Sequence, residues 1–359
     1  MKKIVETIKN IWRIEDLRTR ILITLLFVAI YRFGSFVVLP GIDPTRLQQL
    51  QAQTSEGLMS LLNMFSGGAF SNASIFALGI MPYITASIVI QLLAVTVPYV
   101  QKLQREGESG RRKINQYTRY LTIAILIFQA PTYLINLQHQ TAGSGAFLVG
   151  DGLGFMVTST IILAAGSMFI LWLGERITDK GIGNGVSLII MVGIIARLPS
   201  AIIEDVASYL SGVEGGGLVK WLIEMIALLF VMALAIMLVK ATRKVPVQYA
   251  KRVEGGKQYG GARQYIPLKL FAANVMPIIF AQAIMFIPLS LAQYAGASST
   301  WFLSQFMDHT SWLYNIVFVA LIVAFTYFYT AITLNPVQMA EDMKRNNGFI
   351  PGIKPGKAT

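Results

Sequence analysis

Residues 74–97 read SIFALGIMPYITASIVIQLLAVTV, a run that contains no charged side chain. A run of about 20 apolar residues is long enough to cross the roughly 30 Å hydrocarbon core of a bilayer as a helix. Further mostly apolar runs occupy residues 21–40, 120–138, 154–174, 182–202, 219–239, 270–294 and 313–333. They are apolar on every face, whereas the helices of soluble proteins keep a polar face. The chain is therefore predicted to be an all-α polytopic membrane protein with eight spans.

The composition excludes several kinds of chemistry. The 359 residues include no cysteine and only two histidines, His139 and His309, so disulfide frameworks, Cys nucleophiles and thiolate metal sites are excluded. The string GIKPGK at 352–357 is one residue short of a nucleotide-binding P-loop and follows no predicted strand. We expect no catalytic residue, no metal site and no cofactor, which argues against an intramembrane enzyme.

Basic residues set the predicted orientation. Segments 1–20, 98–119, 175–181, 240–269 and 334–359 hold 26 of the 30 Lys and Arg residues, and the alternating loops hold almost none. The positive-inside rule places the basic segments and both termini in the cytoplasm. The net charge of +12 is then mostly a cytoplasmic face rather than a nucleic-acid-binding surface. Residues 1–17 are predicted to be an amphipathic helix on the membrane surface, with a solvated helical tail as the alternative.

Few ionisable residues lie inside the predicted spans, where each costs roughly 2.5–3.5 kcal/mol on insertion scales. Lys240 is at a cytoplasmic end, and Glu224 is near the outer end of its span. Only Arg32 is deep, and we expect it to bond carbonyls of neighbouring helices. The lack of paired acids argues against a proton relay.

Two runs carry a proline at matching places. They read Ile80-Met81-Pro82-Tyr83-Ile84 and Val275-Met276-Pro277-Ile278-Ile279. Interrupted helices in corresponding positions of two halves point to a pathway at the interface of an inverted repeat, although so short a match also arises by chance. Ile84 and Ile279 each follow the proline by two residues. Apolar residues that face a pore gate it by dewetting, whereas lipid-facing or packed isoleucines are the alternative.

The segment before residue 74 is apolar, then glycine-rich, then polar: GLMSLLNMFSGGAFSNAS, residues 57–74. It is too short to span the membrane. Two interpretations are open: a half-helix folded back into a cavity, and an amphipathic surface loop. The first requires a cavity because irregular backbone is tolerated at membrane depth only inside protein or water.

Uncharged polar residues mark the faces of three predicted spans, where such groups commonly bond across helix contacts. They are Thr85, Ser87, Gln91, Asn184, Ser187, Asn274 and Gln282. Two interpretations of these residues are open. They contribute to general helix packing, or they form a midplane binding site of a secondary transporter for a small solute.

The long loop at 240–269 alternates valine, tyrosine and basic residues around two Gly-Gly pairs. This pattern predicts a β-hairpin with a basic face. Such a face suits ribosomal RNA or an acidic protein surface, with lipid phosphates as the alternative.

Four strings in order along the chain are similar to signatures of one family. They are SIFALGIMPYITASIVIQLL (74–93), GESGRRKINQYTRY (107–120), LWLGERITDKGIGNGVSLII (171–190) and FIPGIKPGKAT (349–359). Together they make the chain resemble the SecY/Sec61 alpha family, the channel subunits of protein translocases. The resemblance covers essentially the whole chain.

The resemblance implies a pseudo-symmetric inverted repeat of five-helix halves, with eight of the family's ten spans present. It divides the chain into a cytoplasmic amphipathic N-terminus (1–20), a first half with spans 1–5 (21–202) and a second half with spans 6–8 (203–359). The first half then contains a plug at about 57–73. The second half contains the basic cytoplasmic loop 240–269 and the C-terminal cytoplasmic segment 334–359.

The resemblance also implies four groups of site residues. The pore ring is Ile80, Ile84, Val186, Ile190 and Ile279. The plug is Asn63, Met64, Phe65, Ser66, Gly67, Gly68, Ala69, Phe70 and Ser71. The lateral gate is Thr85, Ser87, Gln91, Asn184 and Asn274. The partner-docking residues are Arg243, Lys244, Lys251, Arg252, Lys344, Arg345 and Lys354.

The function that the resemblance implies is that of a protein-conducting channel in the bacterial cytoplasmic membrane. It passes unfolded secretory polypeptides across the membrane and releases membrane-protein segments sideways into the lipid. The implied partners are the SecE and SecG subunits, the SecA ATPase, the ribosome with its rRNA, signal peptides, nascent polypeptides and membrane lipids. Lys354 departs from the Arg that many bacterial members carry, which keeps the charge but loses the planar guanidinium.

Overall fold

The structure is a computed structural model of the chain. It describes residues 6, 12–44, 63, 66–140, 147, 152–196, 198–210, 217–249, 252–254, 257–259, 263–273, 275–282, 284–285, 305, 311–334, 336–354, 356 and 359. The helices are α1 (Glu15–Gly34), α2 (Met81–Thr96), α3 (Pro98–Arg105), α4 (Glu108–Gln140), α5 (Leu153–Lys180), α6 (Gly185–Ile195), α7 (Leu198–Leu210), α8 (Gly217–Lys240), α9 (Trp312–Thr333) and α10 (Pro336–Arg345). The strands are β1 (Thr242–Tyr249), β2 (Arg252–Glu254), β3 (Lys257–Tyr259), β4 (Arg263–Lys269) and β5 (Gly348–Phe349).

The chain forms two compact units. The first consists of Met1–Glu204 with Ala283–Asn315, and the second of Asp205–Gln282 with Ile316–Thr359. In the first unit α4 packs against α2, α3 and α5, and α5 also packs against α1 and α6. In the second unit β1 packs between β4 and β5, and α10 packs against β5.

Local signals explain where these helices begin. Glu15 and Asp16 lie in the first turn of α1 and Arg32 in its last, which complements the helix dipole at both ends. The Asn184 side chain accepts a hydrogen bond from Ser187 N at 3.2 Å and so caps α6. Asn184 therefore has a local structural role in addition to the one that the resemblance implies.

The core of the first unit surrounds the segment that precedes α2. It joins residues of the loop after α1, of residues 70–78, of α4 and of α5. Its members are Leu39, Ile42, Phe70, Ala73, Ala77, Leu78, Leu126, Ala130, Tyr133, Leu134, Leu137, Phe155 and Leu163. The glycine-rich segment is thus part of the hydrophobic core and not a peripheral loop.

Apolar helices dominate the described residues. Five are long and apolar enough to cross a membrane: Glu108–Gln138, Leu153–Lys180, Gly185–Tyr209, Val219–Lys240 and Trp312–Ala331. A sixth is obtained if Met81–Ala94 and Pro98–Gln104, which meet at 102°, form one broken span. The class of fold is confirmed as mostly helical, while the number of eight spans stays a prediction. The seventh predicted run, 270–294, lies partly outside the described residues.

The second predicted run differs from the structure. Residues 74–97 were expected to be a helical span interrupted at Pro82, but residues 66–80 form turns and an isolated bridge, and α2 begins only at Met81. Gly67, Gly68 and Gly79 have φ of 66°, 91° and 55°, a left-handed conformation that ends regular helix. Apolar composition gave no sign of this, because a buried turn and a buried helix are equally apolar.

The two matching prolines begin helices instead of interrupting them. Pro82 lies in the first turn of α2, and Pro277 is the second residue of a helical stretch at 276–282. Proline suits this position because the first turn has no intrahelical partner for its missing N–H. Ile84 N donates to Ile80 O at 3.1 Å, and Ile279 N donates to Val275 O at 3.4 Å, so the same bond closes both turns. Pro131 also lies within an apolar run, and it stands inside α4.

The predicted hairpin is confirmed in the second unit. β1 and β4 pair antiparallel, with Thr242 opposite Lys269 and Gln248 opposite Arg263. β5 extends the sheet on the other side of β1, where Gln248 faces Phe349. β2 and β3 form a separate antiparallel pair. The fold is therefore not purely α-helical.

Candidate functional site

The described residues of the implied plug, Asn63 with residues 66–71, are called the plug segment below, and they are buried. Asn63, Ser66, Ala69, Phe70 and Ser71 are all at most 7% exposed. The surface-loop alternative is therefore wrong for these residues. Residues 66–71, which contain the glycine break, form turns. The half-helix alternative stays a prediction, because nearly all of the apolar first half that it concerns lies outside the described residues. Met64, Phe65 and residues 57–62 lie outside the described residues.

Polar side chains within the plug segment satisfy its own backbone. Asn63 Oδ1 accepts from Ser71 N at 3.1 Å, and Ser66 Oγ accepts from Phe70 N at 3.0 Å. Ser71 Oγ donates to Gly68 O at 3.1 Å, and Gly68 N donates to Asn63 O at 2.8 Å. Buried backbone outside helices and sheets needs such partners, so the polar residues of NMFSGGAFS are the reason that a turn survives inside the protein.

Helix α1 binds two consecutive carbonyls of the plug segment. Tyr31 Oη donates to Ser66 O at 3.3 Å, and Arg32 Nη1 donates to Gly67 O at 2.6 Å. The Arg32 guanidinium also lies over the Phe36 ring, 4.7 Å from its centroid. Arg32 thus bonds a backbone carbonyl as expected, but that carbonyl belongs to a turn and not to a neighbouring helix.

Helices α4 and α6 hold the other sides of the plug segment. Tyr133 Oη donates to Phe70 O at 2.8 Å, and the two rings meet edge to face with centroids 4.8 Å apart. Gly67 lies so close to α6 that a Cβ on it would stand 3.1 Å from Gly193 Cα. Sequence reasoning missed Tyr31, Tyr133 and Gly193, because no local pattern marks a side chain whose partner is distant along the chain.

Four of the five residues of the implied pore ring lie on helical segments, and the fifth, Ile80, is the N-cap residue of α2. Ile80 and Ile84 are one turn apart at the start of α2 and are 5% and 8% exposed. Val186 and Ile190 are one turn apart on α6 and half-buried, and a Val186 methyl lies against Gly174 of α5. Ile279 belongs to the second unit and is 8% exposed. Each pair shares one helix face, because residues four apart lie one above the other.

The implied gate residues of α2 bond locally. Thr85 Oγ1 donates to Met81 O at 3.1 Å, and Gln91 Nε2 donates to Ser87 Oγ at 3.3 Å. Ser87 and Gln91 also line a cavity of about 630 Å³ in the first unit, together with Tyr83, Ile90, Gln104, Gly107, Glu108, Arg111, Ile114, Asn115 and Thr118. This wall combines apolar and polar groups. Asn274 lies outside the described residues.

The implied docking residues are basic and mostly exposed. Arg243 and Lys244 stand on β1, and Lys344 and Arg345 are in the last turn of α10, which leads into β5 of the same sheet. Lys354 follows and is also exposed. Arg252 is in β2, and its side chain, like Lys251 as a whole, lies outside the described residues.

Comparison with known proteins identifies relatives along the whole chain. A family model described as SecY matches residues 74–359. The protein translocase subunit SecY of Streptomyces galbus is 42% identical over 361 residues, which is 97% of this chain and 81% of the relative. That of Rickettsia conorii is 42% identical over 350 residues, covering 96% of this chain and 80% of the relative.

Two solved structures share the fold. One, described as a protein conducting channel, has a TM-score of 0.53 at 17% identity and covers 95% of this chain and 79% of its own. The other has a TM-score of 0.57 at 16% identity and covers 95% of this chain and 78% of its own. Its description states that the plug domain of the SecY protein stabilises the closed state of the translocation channel. The alternative of a small-solute transporter has no support among these proteins.

Proposed function

Because the chain belongs to the SecY family, we propose that it is the channel subunit of a protein translocase. It passes unfolded secretory polypeptides across the membrane and releases membrane-protein segments sideways into the lipid. The observation that carries this proposal is 42% identity to translocase subunits over 97% of the chain. The chain is a multi-pass protein of the bacterial cytoplasmic membrane.

The pore ring would seal the channel around a moving polypeptide. A constriction of Ile80, Ile84, Val186, Ile190 and Ile279 offers no fixed charge and no hydrogen-bonding group to a passing chain. Such a ring excludes hydrated ions because an apolar constriction dewets. It also contacts many different side chains without binding any of them tightly. The four-residue spacing of Ile80, the N-cap of α2, from Ile84, and of Val186 from Ile190 on α6, supports this role, because residues four apart lie on the same side of a helix.

The plug segment would close the channel at rest. It is buried, its backbone is satisfied largely by its own side chains, and α1, α4 and α6 each contact it. A segment that carries its own hydrogen bonds loses only its outer contacts when it moves. That property suits a stopper that must leave and return.

The lateral gate would open on the polar face of α2. Thr85, Ser87 and Gln91 supply hydroxyl and amide groups within an otherwise apolar helix, and Asn184 and Asn274 would face the same route. Signal peptides would enter there and pass into the lipid, because insertion favours Leu and Ile by about 0.3–0.6 kcal/mol per residue.

The basic sheet would meet the cytoplasmic partners. Arg243 and Lys244 stand on the central strand of the sheet β4–β1–β5, and Lys344 and Arg345 end the helix that precedes its strand β5. Lys251, Arg252 and Lys354 belong to the same proposed docking set. Basic groups of this kind suit rRNA phosphates and the acidic surface of a motor protein. We propose the ribosome and the SecA ATPase as these partners, with SecE and SecG as companion subunits and with both termini of this chain in the cytoplasm.

The division into halves at 21–202 and 203–359 belongs to the same proposal.

Transport in a purified system tests this function. Vesicles that contain the chain with SecE and SecG should protect an unfolded secretory precursor from added protease when SecA and ATP are present. Matched vesicles without the chain should protect none. Equal protection with and without the chain would overturn the proposed function.

A further inference from the structure

We infer that Arg32, together with its neighbour Tyr31, holds the plug segment in the closed position, so that Arg32 is a positioning residue of the resting channel. The inference rests on the proposed function and extends it to α1. Two consecutive side chains of one helix donate to two consecutive carbonyls of the plug segment, at 3.3 Å for Tyr31 and 2.6 Å for Arg32. This arrangement fixes both the position and the register of the segment.

The chemistry of Arg32 makes its contact the stronger of the two. A hydrogen bond from a charged donor is roughly twice as strong as one between neutral groups. Stacking of the guanidinium over Phe36 fixes its plane, so less side-chain freedom is lost on binding Gly67 O. Arg32 is half-buried in the last turn of α1, within an apolar run in which an ionisable group is costly and is typically kept for a function. Holding the plug segment is a function that the observed contact can perform.

Gly67 lies between Arg32 and α6. A Cβ on Gly67 would stand 3.2 Å from Arg32 Nη1 and 3.1 Å from Gly193 Cα. Helix α6 also carries Val186 and Ile190 of the proposed ring. The hydrogen bond from Arg32 therefore keeps Gly67 next to α6, a helix of the proposed constriction. Loss of the arginine would remove the contact that holds Gly67 from the side opposite α6.

Release of the segment would leave its internal hydrogen bonds intact. The bonds among Asn63, Ser66, Gly68 and Ser71 involve neither Tyr31 nor Arg32. The closed state would then differ from the open state mainly by the outer contacts, which include the hydrogen bond from the charged Arg32 to Gly67 O. Removing it should shift the equilibrium between the two states without unfolding the segment.

A single introduced cysteine can report the position of the plug segment, because the chain has none of its own. Ala69 is 0% exposed and has only a methyl side chain, so an Ala69→Cys reporter leaves the internal hydrogen bonds in place and, in the resting, reconstituted channel, should react slowly with a water-soluble maleimide. Adding Arg32→Gln should raise that rate about ten- to hundredfold, which is the loss of one hydrogen bond to a charged group. Tyr31→Phe should raise it less. Phe33→Leu, at the next residue, which is 76% exposed, should leave the rate unchanged.

Each outcome decides the inference. An unchanged rate in Arg32→Gln overturns it. If that variant does not accumulate, Arg32→Lys, which keeps the charge but loses the fork, should give an intermediate rise, and an unchanged rate there overturns the inference as well. Leu173→Ala, which empties a fully buried position of α5 outside the core cluster around the plug segment, controls for general loosening. An equal rise in that variant would also overturn the inference.

The proposed function is measured separately in the same vesicles. If the unsubstituted channel transports precursor while Arg32→Gln does not alter labelling, only the role of Arg32 fails. If the unsubstituted channel transports nothing, the proposed function fails, whatever the labelling rates are.

Discussion

At the scale of single residues, glycine is what lets the plug segment lie against its neighbours. Gly67 has φ of 66°, a conformation that favours glycine, and it also stands next to the backbone of Gly193. Gly107 has a similar φ of 74° but open space around it. Both positions therefore require a positive φ, but only at Gly67 does a neighbouring backbone lie close to the glycine. This difference makes Gly107 a control for Gly67.

Gly67→Ala should loosen the resting channel, whereas Gly107→Ala should not. Both variants pay roughly 1–2 kcal/mol for a side chain in the left-handed region. Only Gly67→Ala also forces its methyl against Gly193 Cα, at 3.1 Å, so the plug segment or α6 must shift. Ion leak through resting vesicles measures the difference, and equal leak from both variants would contradict the importance of this approach.

At the scale of elements, a side chain of α1 holds the connection between α5 and α6. Thr24 Oγ1 donates to Arg20 O at 2.8 Å and accepts from Ile182 N at 3.1 Å. Beyond that point Gly185 N donates to Thr178 Oγ1 at 2.8 Å, and α6 begins. The start of the helix that carries Val186 is thus tied to α1, the same helix that binds the plug segment.

Thr24→Val should destabilise this junction by about 0.5–1.5 kcal/mol, because the hydroxyl that accepts from Ile182 N is replaced by a methyl of similar shape. Thr19→Val is the matched control. Thr19 lies on the same helix and donates to Glu15 O at 2.9 Å in the same i−4 geometry, but it is exposed. Thermal unfolding in detergent should show a lower midpoint for Thr24→Val alone. A similar decrease in both variants would show that the contact with Ile182 contributes nothing.

At the scale of the whole molecule, signals that are local in sequence predicted the structure well. Apolar runs gave the mostly helical class, and alternating residues around glycine pairs gave the hairpin of β1 and β4. The lone charge in the first apolar run indicated that Arg32 binds a carbonyl, which it does. Each of these signals depends on residues within one element or on the general cost of an unpaired charge.

Local sequence signals did not predict contacts between residues that are far apart along the chain. Tyr133 and Phe70 are 63 residues apart, and neither residue type signals that a tyrosine hydroxyl will bind a plug carbonyl. The start of α2 at Met81 was missed for a related reason. Apolar residues 74–80 fit a span as well as a buried turn, and only the packing of that turn among α4 and α5 decides between them.

The proposed orientation of the whole chain rests on the distribution of its charges and can be tested in cells. Lys220 lies near the start of α8, on the side of the predicted membrane where the loops carry few basic residues. Lys244 and Lys344 lie on the exposed basic surface. If the basic surface is cytoplasmic, an impermeant maleimide should label a Lys220→Cys variant in intact spheroplasts. Lys244→Cys and Lys344→Cys should react only after lysis. The unsubstituted chain is a clean background, because it contains no cysteine. The opposite labelling pattern would reverse the proposed topology and would place the basic sheet where neither the ribosome nor SecA could reach it.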